Sequence, residues 1–442
     1  MNHKIIISEE NIQSHFDKLS KIGTLGKTPA EGFLRAAWSK EESDAFEYVR
    51  KEAEMAGFVA RYDAIGNLYL RIPGDLQQIV QVGSHLDTVP EGGNFDGTAG
   101  IIDGLESIKA ICRYGLPIRK GLELVIWRGE EGATFDAPYK GSKAAFGELN
   151  PKYLKNEFNE KTLEQAILEQ GFDPSWIRES RPTLTQNDIN NIFAHIELHI
   201  EQGNKLENDG TDIGIITSIR GPARYRFEVI GEFDHSGATP MGSDHRKDAN
   251  LASAYIQVEL DKLVNKYLNK GGDLVQTIGI LNADESFNNK DERVYNNALT
   301  KVSGFSYFTL DIRSNDKTFR DFYTTKVIET ITKVAESKGV SIEIEHIASE
   351  DPVEKLDDRI QESIKSACEE LNYSFQYIPS GAGHDAAVVA KQKRSNETYT
   401  PVGMIFIPCK GGKSHCKEEF VTTGAVTKGA NVLAQTLYQL AK

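Results

Sequence analysis

The sequence predicts an α/β protein with a smaller α+β segment inserted into it. Three observations lead there. Apolar runs of strand length end in glycine-rich polar loops at 79–100 and 403–416, each followed by helical spacing. A third apolar run, 122–127, ends in a charged turn at 128–132. Between 217 and 351 the order changes to strand, helix, strand, strand, helix, strand, the order of a split βαβ unit. One domain is therefore expected over residues 1–216 plus 352–442, and another over 217–351.

A chain of 442 residues is long enough for two or three domains and a large core. Its formal net charge of −14 argues against a nucleic-acid footprint, which needs a basic face. Cys112, Cys368, Cys409 and Cys416 form no paired spacing, which fits a reducing cytoplasm. The start, MNHKIIISEENIQ, has too short an apolar run for a signal peptide. No stretch approaches the roughly 20 apolar residues of a membrane span. A cytoplasmic protein with no nucleic-acid or membrane partner is expected.

Taken in order, residues 8–19 and 43–56 have helical spacing, with Ser43 as a suitable N-cap for the second. Residues 23–32 read as a loop. Residues 67–72 alternate as a strand and stop at Pro73-Gly74. The run Ile79–Val82 then leads to Ser84-His85 and the loop carrying Asp87 and Asp96. Ile101, Ile102, Leu105, Ile108 and Ile111 mark the helix behind it. Strand, loop, helix is how an α/β domain presents reactive groups at the carboxyl end of its sheet. A neutral imidazole and a carboxylate suit zinc or a similar divalent ion. Asp87 can fix the imidazole tautomer of His85 from behind. An ordinary loop with one structural histidine would also fit this stretch.

Leu122–Trp127 reads as a core strand delivering Glu130 and Glu131 at its end. Side chains alternate along a strand, so these carboxylates should diverge, one toward a metal and one toward a water. A solvated acidic turn is the plainer alternative. Residues 139–188 look polar and irregular, with helical fragments near 163–170. The stretch Ile192–Gly203 fits either a strand, with His195, Glu197, His199 and Glu201 on one face, or a helix.

Within 217–351, residues 224–230, 274–281, 304–313 and 340–344 read as strands, and 248–267 and 318–338 as helices. Leu251, Ala254, Tyr255 and Val258 form one face of the first helix. Asp234–Pro240 is a polar turn and 284–296 a polar loop. After 352 come a helix at 357–371, the small-residue turn Ser380–Ala386 opening another helix, and a core strand at 403–408. That strand ends in a third glycine-rich loop, carrying His415, before a closing helix at 422–441.

The strand-end loops and the 192–203 stretch together supply His85, Asp96, Glu130, Glu131, His199 and His415. That is enough for two metal ions sharing a carboxylate, an arrangement that acidifies a water and polarises a carbonyl. The motifs GSHLDTV with GGNFDG, GEEG, ELHIEQG, HSGATPM with RKDA, LDIR, SGAGHDA, and MIFIP with SHC occur in that order. With them the chain resembles the dinuclear-metal amidohydrolases of the hydantoinase/carbamoylase family, over nearly its whole length. That family includes N-carbamoyl-L-amino-acid hydrolases, allantoate amidohydrolases and β-ureidopropionases.

The resemblance implies a mixed-sheet catalytic domain of the zinc-aminopeptidase type, with an inserted lid that also makes a homodimer. It implies that His85 and His199 bind one ion with the bridging Asp96, and that Glu131 and His415 hold the other. Zinc or manganese is implied, with nickel or cobalt also accepted by such ligands. Glu130 would be general base and then acid, Asp87 would orient His85, and His235 would stabilise the oxyanion. Gln202 would contact the substrate, and Arg313 would clamp its carboxylate. Hinges near Thr217 and Asp351 would let the lid close. A histidine at 199, where related aminopeptidases and aminoacylases carry an aspartate or glutamate, points to the carbamoylase branch. The chain departs from the family at Thr300, which stands where an asparagine usually helps hold the substrate, and at Ser303, where a proline is usual. The expected substrate is an N-carbamoyl (ureido) L-amino acid or a relative such as allantoate. An aminoacylase or dipeptidase with the same core is the alternative. A binding protein that had lost its chemistry would lack a ligand or the base, and none is lacking here.

Overall fold

The computed structural model describes residues 4–282 and 296–442. The chain forms two compact units, one of Met1–Thr217 with Lys355–Lys442 and one of Ser218–Glu354. The polar loop expected over 284–296 lies, but for Asn296, outside the described residues.

The larger unit is built on an eight-stranded sheet. Its strand order is Val59–Tyr62, Leu68–Arg71, Gly121–Trp127, Ile79–His85, Ile192–Ile200, Val402–Ile407, Ile213–Ile219, Phe375–Ser380. The four middle strands run parallel, and antiparallel strands flank them. The middle strands are almost wholly buried, so they read as continuous apolar runs rather than alternating ones. Helices Thr98–Arg113 and Thr423–Ala441 pack together and against this sheet. Their Ile101, Ile102, Leu105, Val432, Leu433 and Leu437 are fully buried, each contributing roughly 1.5–3 kcal/mol by leaving water. Because the middle strands are parallel, His85, Trp127, Ile200 and Ile407 finish at the same edge. The four loops that follow them are thereby gathered.

The 192–203 stretch, which fits two periodicities, forms a strand because it has parallel partners on both sides, 79–82 and 402–407. Helix Lys40–Met55 begins one turn before the expected start. Ser39 caps it by accepting from the Glu42 amide, while the Ser43 hydroxyl accepts from Arg128 and donates to Gln170. The region expected to be polar and irregular builds a second apolar cluster. Leu149, Leu154, Leu163, Ile167 and Ile177 pack around Trp38 and Phe135. All but Leu149 sit on helical pieces of four to seven residues, such as Pro151–Lys155 and Leu163–Glu169, too short to show a period. The outer strands Val59–Tyr62, Ile213–Ile219 and Phe375–Ser380 are not foreseen from sequence; the first is largely exposed and shows no alternation.

The smaller unit has a four-stranded antiparallel sheet in the order Val275–Leu281, Phe305–Ser314, Gly221–Ile230, Ser341–Ser349. Helices Ala249–Leu268 and Lys317–Lys338 supply the other half of its core, which includes Phe227, Ile256, Leu260, Phe308, Tyr323 and Ile331. The face formed by Leu251, Tyr255 and Val258 on the first helix is open to solvent. Ala252, Ile256 and Leu260, one position on, face the core instead. The helix carries two apolar stripes, and spacing alone does not say which is inward. A short ladder pairs Asp234-His235 with Lys301-Val302.

Candidate metal centre

The gathered loops bring His85, Asp96, Glu130, Glu131, His199 and His415 together. Among the described residues, His85–Asp96–His199, His85–Glu130–Glu131 and Asp96–Glu131–His415 each offer donor atoms within 4.8 Å of one another. Asp96 belongs to the first and third groups. Its Oδ1 lies 2.9 Å from His199 Nε2 and 3.5 Å from His85 Nε2, and its Oδ2 lies 3.4 Å from His415 Nε2. Glu131 Oε1 is 3.4 Å from the same His415 nitrogen. All but His415 are buried.

Each member is held from behind. His85 Nδ1 faces the Asp87 carbonyl at 3.1 Å and its carboxylate at 3.2 Å, which puts the ring proton there and turns the Nε2 lone pair inward. Asp87 does more than orient His85. Its two oxygens accept from the Glu130 and Glu131 amides, both at 3.0 Å, so one carboxylate ties the histidine loop to the glutamate turn. His199 Nδ1 donates to the Ile200 carbonyl at 2.9 Å, leaving Nε2 for Asp96. Gly97, at φ +63°, has no alternative: a Cβ there would stand 2.5 Å from the His85 ring. Glu130 and Glu131 do not diverge as strand alternation predicts. The strand ends at Trp127, Gly129 turns with φ +59°, and both carboxylates reach the same cluster.

The electrostatics are those of crowded like charges. Burial raises the Glu130 carboxyl well above its usual range, and neighbouring Glu131 adds to it. Burial and Asp96 push Glu131 up to about 7. Asp96 is also penalised by burial, but His199, His415 and His85 outweigh this and hold it well below the usual range. The hydrogen bond to Asp96 pulls His415 up to about 9 against burial. Burial lowers His85, yet Glu130, Asp87 and Asp96 more than offset it and raise it well above its usual value.

Divalent metal ions fit this donor set. His85 Nε2 is buried, makes no hydrogen bond and faces the Asp96 and Glu130 carboxylates at 3.5 and 3.9 Å. A buried ring nitrogen with no hydrogen bond that faces two carboxylates suits a shared cation, and imidazole nitrogens with carboxylate oxygens are the donors zinc-type ions take.

The other expected residues are placed as follows. Gln202, with a left-handed backbone at φ +57°, donates from Nε2 to Asp96 Oδ2 at 2.7 Å. The remaining three lie in the smaller unit. His235 Nδ1 accepts from the Gly237 and Ala238 amides, both at 3.1 Å, which leaves the ring proton on Nε2. The Thr300 carbonyl accepts from the Ser236 amide, and Arg313 pairs with Asp311.

Two supporting residues take roles the sequence reading does not assign. Lys140 is fully buried and donates to the carbonyls of Glu131, Thr134 and Ala137, pinning the loop behind the glutamates. Nothing in its polar surroundings marks it out. Glu197 accepts from Ser84 Oγ at 3.2 Å and the Ala386 amide at 2.8 Å. Its place on the strand face of His199 is the signal that finds it. Glu197, His199 and His384 form a further donor group, but His199 has already committed both ring nitrogens, so this group is a buttress. A cavity of about 520 Å³, lined by Arg61, Arg71, Gln81 and Glu123 where the parallel strands begin, contains no member of the cluster.

Imidazoles and carboxylates converging at the ends of parallel strands define a site of metallohydrolase type. The chain belongs to peptidase family M20/M25/M40, whose sequence profile matches residues 82–439. It is 32% identical to an N-carbamoyl-L-amino-acid amidohydrolase of Pseudomonas sp. (strain NS671), covering 98% of both chains. It is likewise 32% identical to the allantoate amidohydrolase of Escherichia coli (strain K12), over 96% of this chain and 97% of that one. A hydantoinase/carbamoylase family amidase from Burkholderia ambifaria superposes with a TM-score of 0.83 at 30% identity, covering 100% of this chain and 99% of the other.

Proposed function

We propose that this chain is a metal-dependent amidohydrolase cleaving the C–N bond of an N-carbamoyl L-amino acid or a close relative such as allantoate. One observation carries the reading: the two strand-end donor groups sharing Asp96, with Glu130 beside them, in a chain collinear with relatives bearing those names. His85, His199 and Asp96 would hold one divalent ion, and Glu131, His415 and Asp96 a second. Zinc and manganese best suit these nitrogen and oxygen donors, and nickel and cobalt are also accepted. Divalent ions held there would supply Lewis acidity, lowering the pKa of a water and polarising a carbonyl.

Glu130 takes the proton released as water attacks the ureido carbon and returns it to the leaving nitrogen. Burial and Glu131 raise its pKa, which suits a group that must hold a proton between the two steps. Asp87 keeps the proton of His85 on Nδ1. His235 donates from Nε2 to the developing oxyanion, the tautomer its two backbone donors impose. Gln202, Thr300 and Arg313 hold the substrate, Arg313 through the carboxylate. For a carbamoyl substrate the products are the amino acid, ammonia and carbon dioxide. The smaller unit serves as lid and as the interface of a homodimer. A cytoplasmic setting agrees with four cysteines that are all free.

Ammonia release by the manganese-loaded protein tests the reading. The panel is N-carbamoyl-L-amino acids, N-carbamoyl-β-alanine and allantoate, with N-acetyl amino acids and dipeptides as controls. Ammonia from a ureido compound is expected. Free amine from acyl or peptide substrates alone would make the protein an aminoacylase or dipeptidase and shift attention to Thr300.

A further inference from the structure

One buried carboxylate near the cluster has no part in the chemistry above. Glu419 is 5% exposed. Its Oε1 accepts from the Phe95 amide at 2.9 Å and the Asp96 amide at 3.0 Å. Its Oε2 accepts from Ser414 Oγ at 3.0 Å, and that hydroxyl also lies 2.9 Å from Asp96 Oδ2. Two loops more than 300 residues apart in sequence thus meet on one side chain. Space is kept for it, since a Cβ on Gly93 would stand 2.2 Å from Glu419 Oε1.

The two donor groups that share Asp96 depend on this contact unequally. His85 and His199 sit on or at the end of buried strands, so their ring nitrogens are set by the sheet. His415 has no such support. Its side chain is 49% exposed, it lies in an irregular loop, and its backbone is left-handed at φ +55°. Glu419, bonded at once to the Asp96 amide and to the Ser414 hydroxyl, ties that loop to Asp96, alongside the direct contact of Ser414 with the Asp96 carboxylate.

We infer that Glu419 is a positioning residue. It sets the distance and direction between Asp96 and His415, and so controls occupancy of the ion those two residues share with Glu131. This rests on the ligand assignment proposed above. A carboxylate is suited to the task because one oxygen can receive two backbone amides while the other receives a hydroxyl. An alanine here removes all three bonds. Glutamine keeps an oxygen for the amides and offers an amide nitrogen to the Ser414 oxygen.

The test measures bound zinc per chain, by elemental analysis after equilibration with a competing chelator, in the full-length wild type, E419A, E419Q and H415A. The wild type should bind two ions. H415A should lose one, and E419A should bind that same ion about 10- to 100-fold more weakly while keeping the other, the usual effect of removing an outer support. E419Q should restore occupancy to near that of the wild type. Circular dichroism shows whether E419A folds. If it does not, S414A, which leaves the two amide bonds intact, should weaken the same ion. E419A, or S414A in its place, binding both ions as the wild type does would overturn the positioning role. H415A retaining two ions would instead overturn the ligand assignment itself.

Discussion

His195 and His199 stand four residues apart on one strand, on the same face, and both are buried. Their fates are opposite. Burial alone acts on His195 and lowers it to about 3, and among the described residues its ring hydrogen-bonds through Nδ1 to Gln81 Oε1 at 2.8 Å. Burial also acts on His199, but Asp96 outweighs it and raises that imidazole above its ordinary value. Residue type, burial and strand face are therefore not what set these two imidazoles apart. The carboxylates arriving from other loops are. His199 lies where the parallel strands end and those loops converge. His195 lies four residues earlier, two repeats of the pleat, away from those loops.

The contrast can be broken hardest at the carboxylates. Replacing Glu130 by glutamine should cost about 10²- to 10⁴-fold in kcat on the preferred ureido substrate, the usual worth of a positioned general base. Metal content should stay unchanged. A Glu130→Gln protein with wild-type turnover would remove it from the chemistry.

Metal content sharpens the comparison between the two histidines. His199→Asn should lose an ion in equilibrium dialysis, whereas His195→Asn should keep both. Equal losses in the two variants would mean that the strand, and not its carboxylate surroundings, decides ligation.

The smallest effect is on stability against pH. A folded-state pKa of about 3 for His195, against an ordinary 6.5, means that the unfolded chain binds the extra proton between those values. The stability this neutral imidazole contributes is thus present above pH 6.5 and is lost as pH falls toward 3. At pH 5 the loss is about 2 kcal/mol. In urea unfolding at pH 7 and pH 5, His195→Gln should lose less stability than the wild type on going to pH 5, by about that amount. An identical slope in the variant would assign the acid sensitivity elsewhere.

Much of this was legible in the residues. The apolar runs at 79–82, 122–127 and 403–407 announced buried parallel strands, because a strand covered on both faces needs no polar alternation. Glycine-rich loops after them marked where polar groups could gather. Helices capped by Ser8, Asp248, Asp357 and Thr422 showed their starts for the same local reason: a side-chain oxygen satisfies an orphan amide within three residues. Six ligating or catalytic candidates were identifiable because their chemistry is carried by residue type and by short motifs.

What local pattern does not encode is which distant groups meet. It left Ile192–Ile200 open between strand and helix until parallel neighbours on both sides decided it. It did not say which stripe of the Ala249–Leu268 helix is buried, since both stripes are apolar and only the sheet beneath selects one. It gave no sign that Glu419 reaches the Asp96 amide, that Lys140 holds the Glu131 loop, or that Asp87 binds both glutamate amides. These contacts join residues far apart in the chain or within loops without a period. They follow from where the ends of parallel strands come to lie, which the sheet order sets and no single stretch of sequence contains.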